Sequence, residues 1–331
     1  MSFDPDAPAS SEQLFGLPHT ADDARVVVLP VPWQATTSYR RGTRAAPRNV
    51  LEASWQVDLH DPALGDAYKR GFVLLPDDGQ VAAWDLAAEP HALRVIAAGG
   101  GVPDDAAVVN AFSAGLNAHV YGATSATLGR GQIPGVLGGD HSVPFGAIQA
   151  VAERHPGVGI LHIDAHADLR DAYEGFTWSH ASIFHNVVTR LPNVSRIVQV
   201  GLRDVGGSEV AFRDAHRDRL RWFTDAEIAA HRLDGVPWSR QVAHMVEALP
   251  PLVYISLDID GLDPTLCPET GTPVPGGLSW HEIVALLAAV GAHRRIVGFD
   301  LNEVGHGQWD AIVGARLLYR LCALATLSNP G

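Results

Sequence analysis

The chain has 331 residues, enough for one large α/β unit or two ordinary domains, and long enough to bury a substantial core. Hydrophobic residues make up 47% and charged ones 18%, with 33 Gly and 22 Pro, which excludes a disordered or collagen-like chain. With 24 Lys and Arg against 37 Asp and Glu the net charge is −13, and no basic stripe interrupts it, so nucleic acid and membrane are disfavoured as partners.

Before the first apolar run stand Asp4, Asp6, Glu12, Asp22 and Asp23, without the basic start and apolar stretch of a secretory signal. Residues 1–22 are expected to be a mobile segment and 23–331 a single domain. The two cysteines, Cys267 and Cys322, match no metal-ligand spacing and form no disulfide framework, so they read as packing residues of a cytoplasmic protein. The cleanest apolar stretch, 283–291, is too short to span a bilayer.

Along the chain, short β-branched runs alternate with segments of helical period. Strands are expected at 25–31, 133–137, 159–164, 196–202, 252–258 and 295–301. Several are apolar at nearly every position, as in Val253-Tyr254-Ile255-Ser256-Leu257, the pattern of a mostly parallel sheet covered by helices on both faces. Thr224 with Glu227 and Ser279 with Glu282 have capping-box spacing, and Asp104 opens an Ala-rich helix to about Leu128. The stretch 71–101 shows no clear pattern.

The acids and histidines crowd at strand ends, where ligands bind in open α/β sheets. After Leu137 comes Gly138-Gly139-Asp140-His141-Ser142, in which two glycines allow a tight turn that presents an imidazole. Next is Asp164-Ala165-His166-Ala167-Asp168, whose spacing in extended chain puts Asp164, His166 and Asp168 on one side. Asp258-Ile259-Asp260 repeats that geometry at a third strand end. Carboxylates facing one another at ~4 Å repel by about 4 kcal/mol per pair at an effective dielectric near 20. Two divalent cations cancel the four negative charges and leave a neutral cluster able to hold a hydroxide nucleophile. Any one of these motifs is as well read as a cap or turn, but three at the ends of different strands point to a binuclear metal site. His162, inside an apolar strand, reads as a hydrogen-bonded core residue rather than a ligand.

GGDHS at 138–142, DAHAD at 164–168 and SLDIDGLDP at 256–264 together resemble the ureohydrolases, the superfamily of arginases, agmatinases and formimidoylglutamases. Looser matches at 42–47, 201–204 and 298–304 carry the resemblance from Val26 to about Leu327. It implies a three-layer αβα sandwich, a binuclear metal centre, and hydrolysis of a guanidino group to urea plus an amine. By the same resemblance one ion is held by His141, Asp164, Asp168 and Asp258, and the other by His166, Asp164, Asp258 and Asp260, with Asp164 and Asp258 bridging. Glu303 takes the position of the carboxylate that grips the guanidinium, and His180 that of a proton-passing histidine. Oxygen-rich ligation with two imidazoles suits Mn²⁺, with Ni²⁺ the alternative. The family's usual assembly, a trimer or hexamer, is expected.

Two departures bear on the substrate. Arginases carry an acid two residues after the position of Asp204, where this chain has Gly206, which makes arginine less apt. Arg170 follows the second motif and either binds a substrate carboxylate or pairs with Asp171 or Glu174 and closes the pocket around a very small guanidine. Tyr173, Phe176 and Trp178 offer an aromatic wall, with Trp178 a candidate substrate contact. The leading reading is an amidinohydrolase for a guanidino acid, an agmatine-like amine or free guanidine. The alternatives are a formimidoylglutamase-type hydrolase and a catalytically silent partner subunit.

Overall fold

The computed structural model describes residues 3–9 and 11–329. Val26–Val31 (β1), Phe72–Leu74 (β2), Ile133–Gly138 (β3), Val158–Ile163 (β4), Val194–Val200 (β5), Leu220–Phe223 (β6), Leu252–Asp258 (β7) and Arg295–Asn302 (β8) form one sheet. Its order is β2-β1-β3-β8-β7-β4-β5-β6, and every pairing is parallel. The helices are Ala46–Ser54 (α1), Gln80–Ala97 (α2), Pro103–Gly129 (α3), Phe145–Arg154 (α4), Ile183–Arg190 (α5), Gly207–Ala215 (α6), Asp225–Leu233 (α7), Trp238–Glu247 (α8), Trp280–His293 (α9) and Gln308–Leu327 (α10).

Strand side chains alternate between two faces, and each face meets its own helices. On β7, Val253, Ile255 and Leu257 enter one apolar cluster with residues of α1, α8, α9 and α10. Tyr254 enters a second cluster with residues of α2, α3, α4 and α5. The expected three-layer sandwich is the result, and the largely apolar runs follow from burial on both sides.

The capping boxes form as expected. Glu227 N–H donates to Thr224 Oγ1 (3.3 Å) while the Glu227 carboxylate accepts from Thr224 N–H (3.0 Å). The Glu282 carboxylate accepts from Ser279 N–H at 2.9 Å. Cys267 and Cys322 are buried free thiols. Among the described residues no helix is long and apolar enough to cross a membrane.

One expectation needs correction. The sheet contains β2 and β6, which the sequence reading lacked, and β2 and α2 lie in the stretch that showed no pattern. Within the N-terminal segment Leu14, Phe15 and Leu17 are buried. Phe15 N–H donates to Ser54 Oγ (2.9 Å), and its ring meets Phe72 and Tyr319 edge-on, with centroids 6.3 and 5.1 Å away.

Candidate metal centre and substrate cleft

The four central strands, β3, β8, β7 and β4, are neighbours in the sheet, and the chain leaves each of them at the same end. His141 follows β3, Glu303 follows β8, Asp258 closes β7, and Asp164 follows β4. The parallel arrangement therefore gathers residues up to 162 positions apart, as in the bond from His141 N–H to Glu303 Oε1 (2.9 Å).

Two groups of ligand atoms result. His141 Nδ1 lies 3.1 Å from Asp164 Oδ2, 3.4 Å from Asp168 Oδ2 and 3.2 Å from Asp258 Oδ2. His166 Nδ1 lies 3.4 Å from Asp164 Oδ1 and 3.1 Å from Asp260 Oδ2. Asp164 thus offers one oxygen to each group. His162 Nε2 also sits 2.8 Å from Asp164 Oδ2, close to the donor atoms of His141 and Asp168, while its Nδ1 is taken by Gln199 (2.8 Å).

Local backbone differs from the simple extended picture at each motif. Gly138 and Gly139 are needed for close approach and not for a left-handed turn: a Cβ on Gly139 would collide with the Trp33 carbonyl, and one on Gly138 with the Asn302 side chain. Asp168 adopts φ 54°, so a left-handed kink rather than strand alternation brings its carboxylate to His141. Asp260 lies in a short 3₁₀ turn, Ile259–Gly261, whose cap is the Asp258 carboxylate accepting Asp260 N–H at 2.8 Å.

The protons of His141 are assigned by its other nitrogen. Ser256 Oγ donates to Asp300 Oδ1 (2.9 Å) and so accepts from His141 Nε2–H (2.9 Å), so that loss of the Nδ1 proton facing the carboxylates would free that lone pair for a cation. Burial presses on every group here. It opposes the charge on His141 and His166, yet the surrounding carboxylates, Asp164 and Asp258 for one and Asp260 and Asp164 for the other, hold both imidazoles well above the ordinary histidine range. Burial and then neighbouring carboxylates push Asp168, Asp258 and Glu303 well above the ordinary carboxylate range. Buried acids in excess, with lone pairs converging on two points, form a donor set that fits a pair of divalent cations.

Above the ligands lies a cleft of about 160 Å³ lined by His166, Asp168, Arg170, Tyr173, His180 and Glu209, among others. Two roomier surface clefts, of about 380 and 460 Å³, share none of these residues. His180 is held from its backbone, whose N–H donates to Thr36 Oγ1 (3.2 Å), and Thr36 Oγ1 donates to the buried Asp140 (2.8 Å). Burial lowers the His180 pKa, and Asp140 opposes that shift. Glu303 adopts φ 59°; its Oε1 accepts His141 N–H, whereas its buried Oε2 has no protein partner.

Two candidate contacts turn out differently. Trp178 stands outside the cleft lining, its ring 4.8 Å from Phe145 and under the Arg190 guanidinium, also at 4.8 Å. Its apolar surface is used in packing. Arg170 does line the cleft, but its neighbour is Glu209 (Nε to Oε2, 3.7 Å) rather than Asp171 or Glu174, and its guanidinium lies 4.8 Å over Tyr173. The motifs alone give no role to Asp140, Thr36, Ser256 or Asp300. Asp140 and Ser256 at least sit inside the recognised motifs, which is a signal that buried polar neighbours of ligands were to be sought there.

A sequence model of the arginase family matches residues 24–323. The chain belongs to the arginase family. The N(1)-aminopropylagmatine ureohydrolase of Thermus thermophilus is 35% identical over 314 residues, 92% of each chain. The guanidinobutyrase of Pseudomonas aeruginosa is 31% identical over 322 residues, 93% of this chain and 90% of its own. The solved structure of proclavaminate amidino hydrolase from Streptomyces clavuligerus matches with a TM-score of 0.73 at 25% identity, covering 97% of this chain and 99% of that one. This arginase-family chain is a ureohydrolase, a hydrolase of guanidino or amidino C–N bonds. The family's dependence on a binuclear metal centre has its counterpart in the His and Asp cluster.

Proposed function

We propose that the chain hydrolyses a compact guanidino acid to urea and an amine, with two divalent ions, Mn²⁺ or alternatively Ni²⁺, at the cluster. His141, Asp164, Asp168 and Asp258 would hold one ion, and His166, Asp164, Asp258 and Asp260 the other. Such ions supply Lewis-acid activation of water at neutral pH.

The observation that carries the reading is the orphaned Glu303 Oε2, a buried carboxylate oxygen beside the cluster with no protein donor. A planar guanidinium supplies the missing N–H. Gly271 keeps the space beside it open, since a Cβ there would come within 3.1 Å of that oxygen. The Glu303 carbonyl is fixed from behind by Thr270 Oγ1 (2.8 Å). His180 Nδ1 rests against Ser179 Oγ (3.4 Å), so Nε2 is the atom left to pass a proton to the departing amine.

The tail end of the substrate is read from Arg170. Both oxygens of Glu209 are already taken by backbone donors, Leu169 N–H (2.9 Å) and Gly206 N–H (2.8 Å), so its charge is largely answered. The Arg170 side chain, 45% exposed, retains donors for a ligand carboxylate. The relatives above are named for guanidino and amidino chemistry, which favours this reading over formimino hydrolysis.

The test is a panel of guanidino acids, agmatine and free guanidine, with Mn²⁺-loaded and Ni²⁺-loaded protein and urea as the readout. Guanidino acids should lead, and Arg170→Glu should shift preference toward cationic tails. A charge-assisted pair of ~1.5 to 3 kcal/mol corresponds to about ten- to a hundredfold in kcat/KM. Preference for agmatine in the wild type, or an unchanged ranking in Arg170→Glu, would make Arg170 a structural partner of Glu209. Formamide or ammonia in place of urea would favour the formimino reaction.

A further inference from the structure

Beneath the cluster, one register position carries polar residues on five adjacent strands of an otherwise apolar face. Asp300 of β8 pairs with Ser256 of β7, Ser256 with His162 of β4, His162 with Gln199 of β5, and Gln199 with Trp222 of β6. Asp300, Ser256, His162 and Gln199 are fully buried, and Trp222 nearly so. The Asp300 and Ser256 half orients His141; the other half has so far no part in the reaction.

That other half has a fixed direction. The Trp222 indole can only donate, and it gives its N–H to Gln199 Oε1 at 2.6 Å. The Ala167 carbonyl can only accept, and it takes an N–H from Gln199 Nε2 at 2.8 Å. Both demands turn the amide the same way, so its remaining N–H points at His162 Nδ1, 2.8 Å away. Nδ1 must then present its lone pair, and the ring proton sits on Nε2, facing Asp164 Oδ2 at 2.8 Å. Phe184 lies against the same ring, with centroids 3.9 Å apart, and holds its plane.

We propose that Trp222, Gln199 and His162 are positioning residues for the metal centre. Two edge-side strands act through a directional hydrogen-bond row to lock His162 in the Nε2–H tautomer, so that it donates to Asp164 and keeps that carboxylate turned with one oxygen toward each ligand group. The opposite tautomer would set a lone pair against the carboxylate. The inference rests on the two-ion reading of Asp164, and it places part of the site's metal affinity on residues that touch neither ion nor substrate. Hydrogen-bonding partners behind metal ligands are typically worth about ten- to a hundredfold in affinity.

The test uses the full chain. ¹⁵N-edited NMR of the metal-free wild type should show His162 protonated at Nε2; protonation at Nδ1 overturns the inference. Equilibrium dialysis with Mn²⁺ then compares the wild type with Gln199→Glu, which offers Nδ1 only acceptor oxygens, and Gln199→Met, which keeps the volume without the donor. Thermal denaturation checks that each is folded. Gln199→Glu should lose about ten- to a hundredfold in Mn²⁺ affinity and Gln199→Met less. Should Gln199→Glu fail to fold, Gln199→Met carries the comparison, and wild-type affinity in the folded variant overturns the inference. Fewer than two Mn²⁺ per wild-type chain would instead overturn the two-ion reading, a failure distinguishable from that of the tautomer.

Discussion

Glu303 and Asp168 hold left-handed backbone angles that side-chain-bearing residues rarely adopt, at φ 59° and 54°. Such conformations cost of order 1 to 3 kcal/mol each and persist where surrounding contacts over-determine them. Both lie in the site, and each makes a contact there: Glu303 Oε1 accepts His141 N–H, and Asp168 Oδ2 approaches His141 Nδ1. His180 belongs to a different category, since it lines the cleft without joining either ligand group. His180→Ala should therefore keep the bound metal and the fold while lowering kcat more than it raises KM, a split that steady-state kinetics with metal analysis resolves. Loss of metal in that variant would make His180 a ligand.

At the scale of elements, the loops after β7 and β8 are tied together by α10. Asp310, in the first turn of α10 and fully buried, accepts Glu269 N–H at 3.0 Å, and Thr270 beside it holds the Glu303 carbonyl. Burial pushes the Asp310 carboxyl up to about 6 from 3.8. Its folded-state pKa lies above the unfolded one, so the stability it contributes is full below pH ~4 and is lost as pH rises through 6. Asp310→Asn mimics the protonated form; the variant's stability relative to wild type should rise across pH ~4 to 6, by up to about 3 kcal/mol, in denaturant titrations at several pH values. A constant difference across that window would remove Asp310 as the titrating group.

The same scale shows what was legible in the chain. Strand ends with Asp and His at short spacings could be read because the parallel sheet makes position along a strand nearly equivalent to position in the site. Thr36 and Asp140, 104 residues apart, could not be paired from spacing, since only the fold brings them together. Strands of three and four residues, β2 and β6, are too short to show a period, and they were missed. An aromatic residue beside a motif, such as Trp178, has the same appearance in sequence whether it packs inward or faces a ligand.

For the whole molecule, Phe15 joins the two ends of the chain across the edge of the sheet. It is 3% exposed, packs edge-on against Phe72 of β2 and Tyr319 of α10, and is tied by its N–H to Ser54 at the end of α1. Phe15→Ala should lower stability by about 3 to 5 kcal/mol, measurable by chemical denaturation, while leaving the cleft chemistry intact. A loss below ~1 kcal/mol would mean that the segment merely rests on the surface.

The position of β8 in the sheet has a temporal meaning. Among the described residues β8 is the last strand, yet it lies between β3 and β7 and alone links the β2-β1-β3 and β7-β4-β5-β6 halves of the sheet. During synthesis every other strand leaves the ribosome before the one that joins them. A nascent chain that stops short of residue 295 carries His141 on one half and Asp164, His166 and Asp258 on the other, with no hydrogen-bonded strand between them. A chain lacking β8 would therefore hold the candidate ligands on two separate halves, without the assembled cluster.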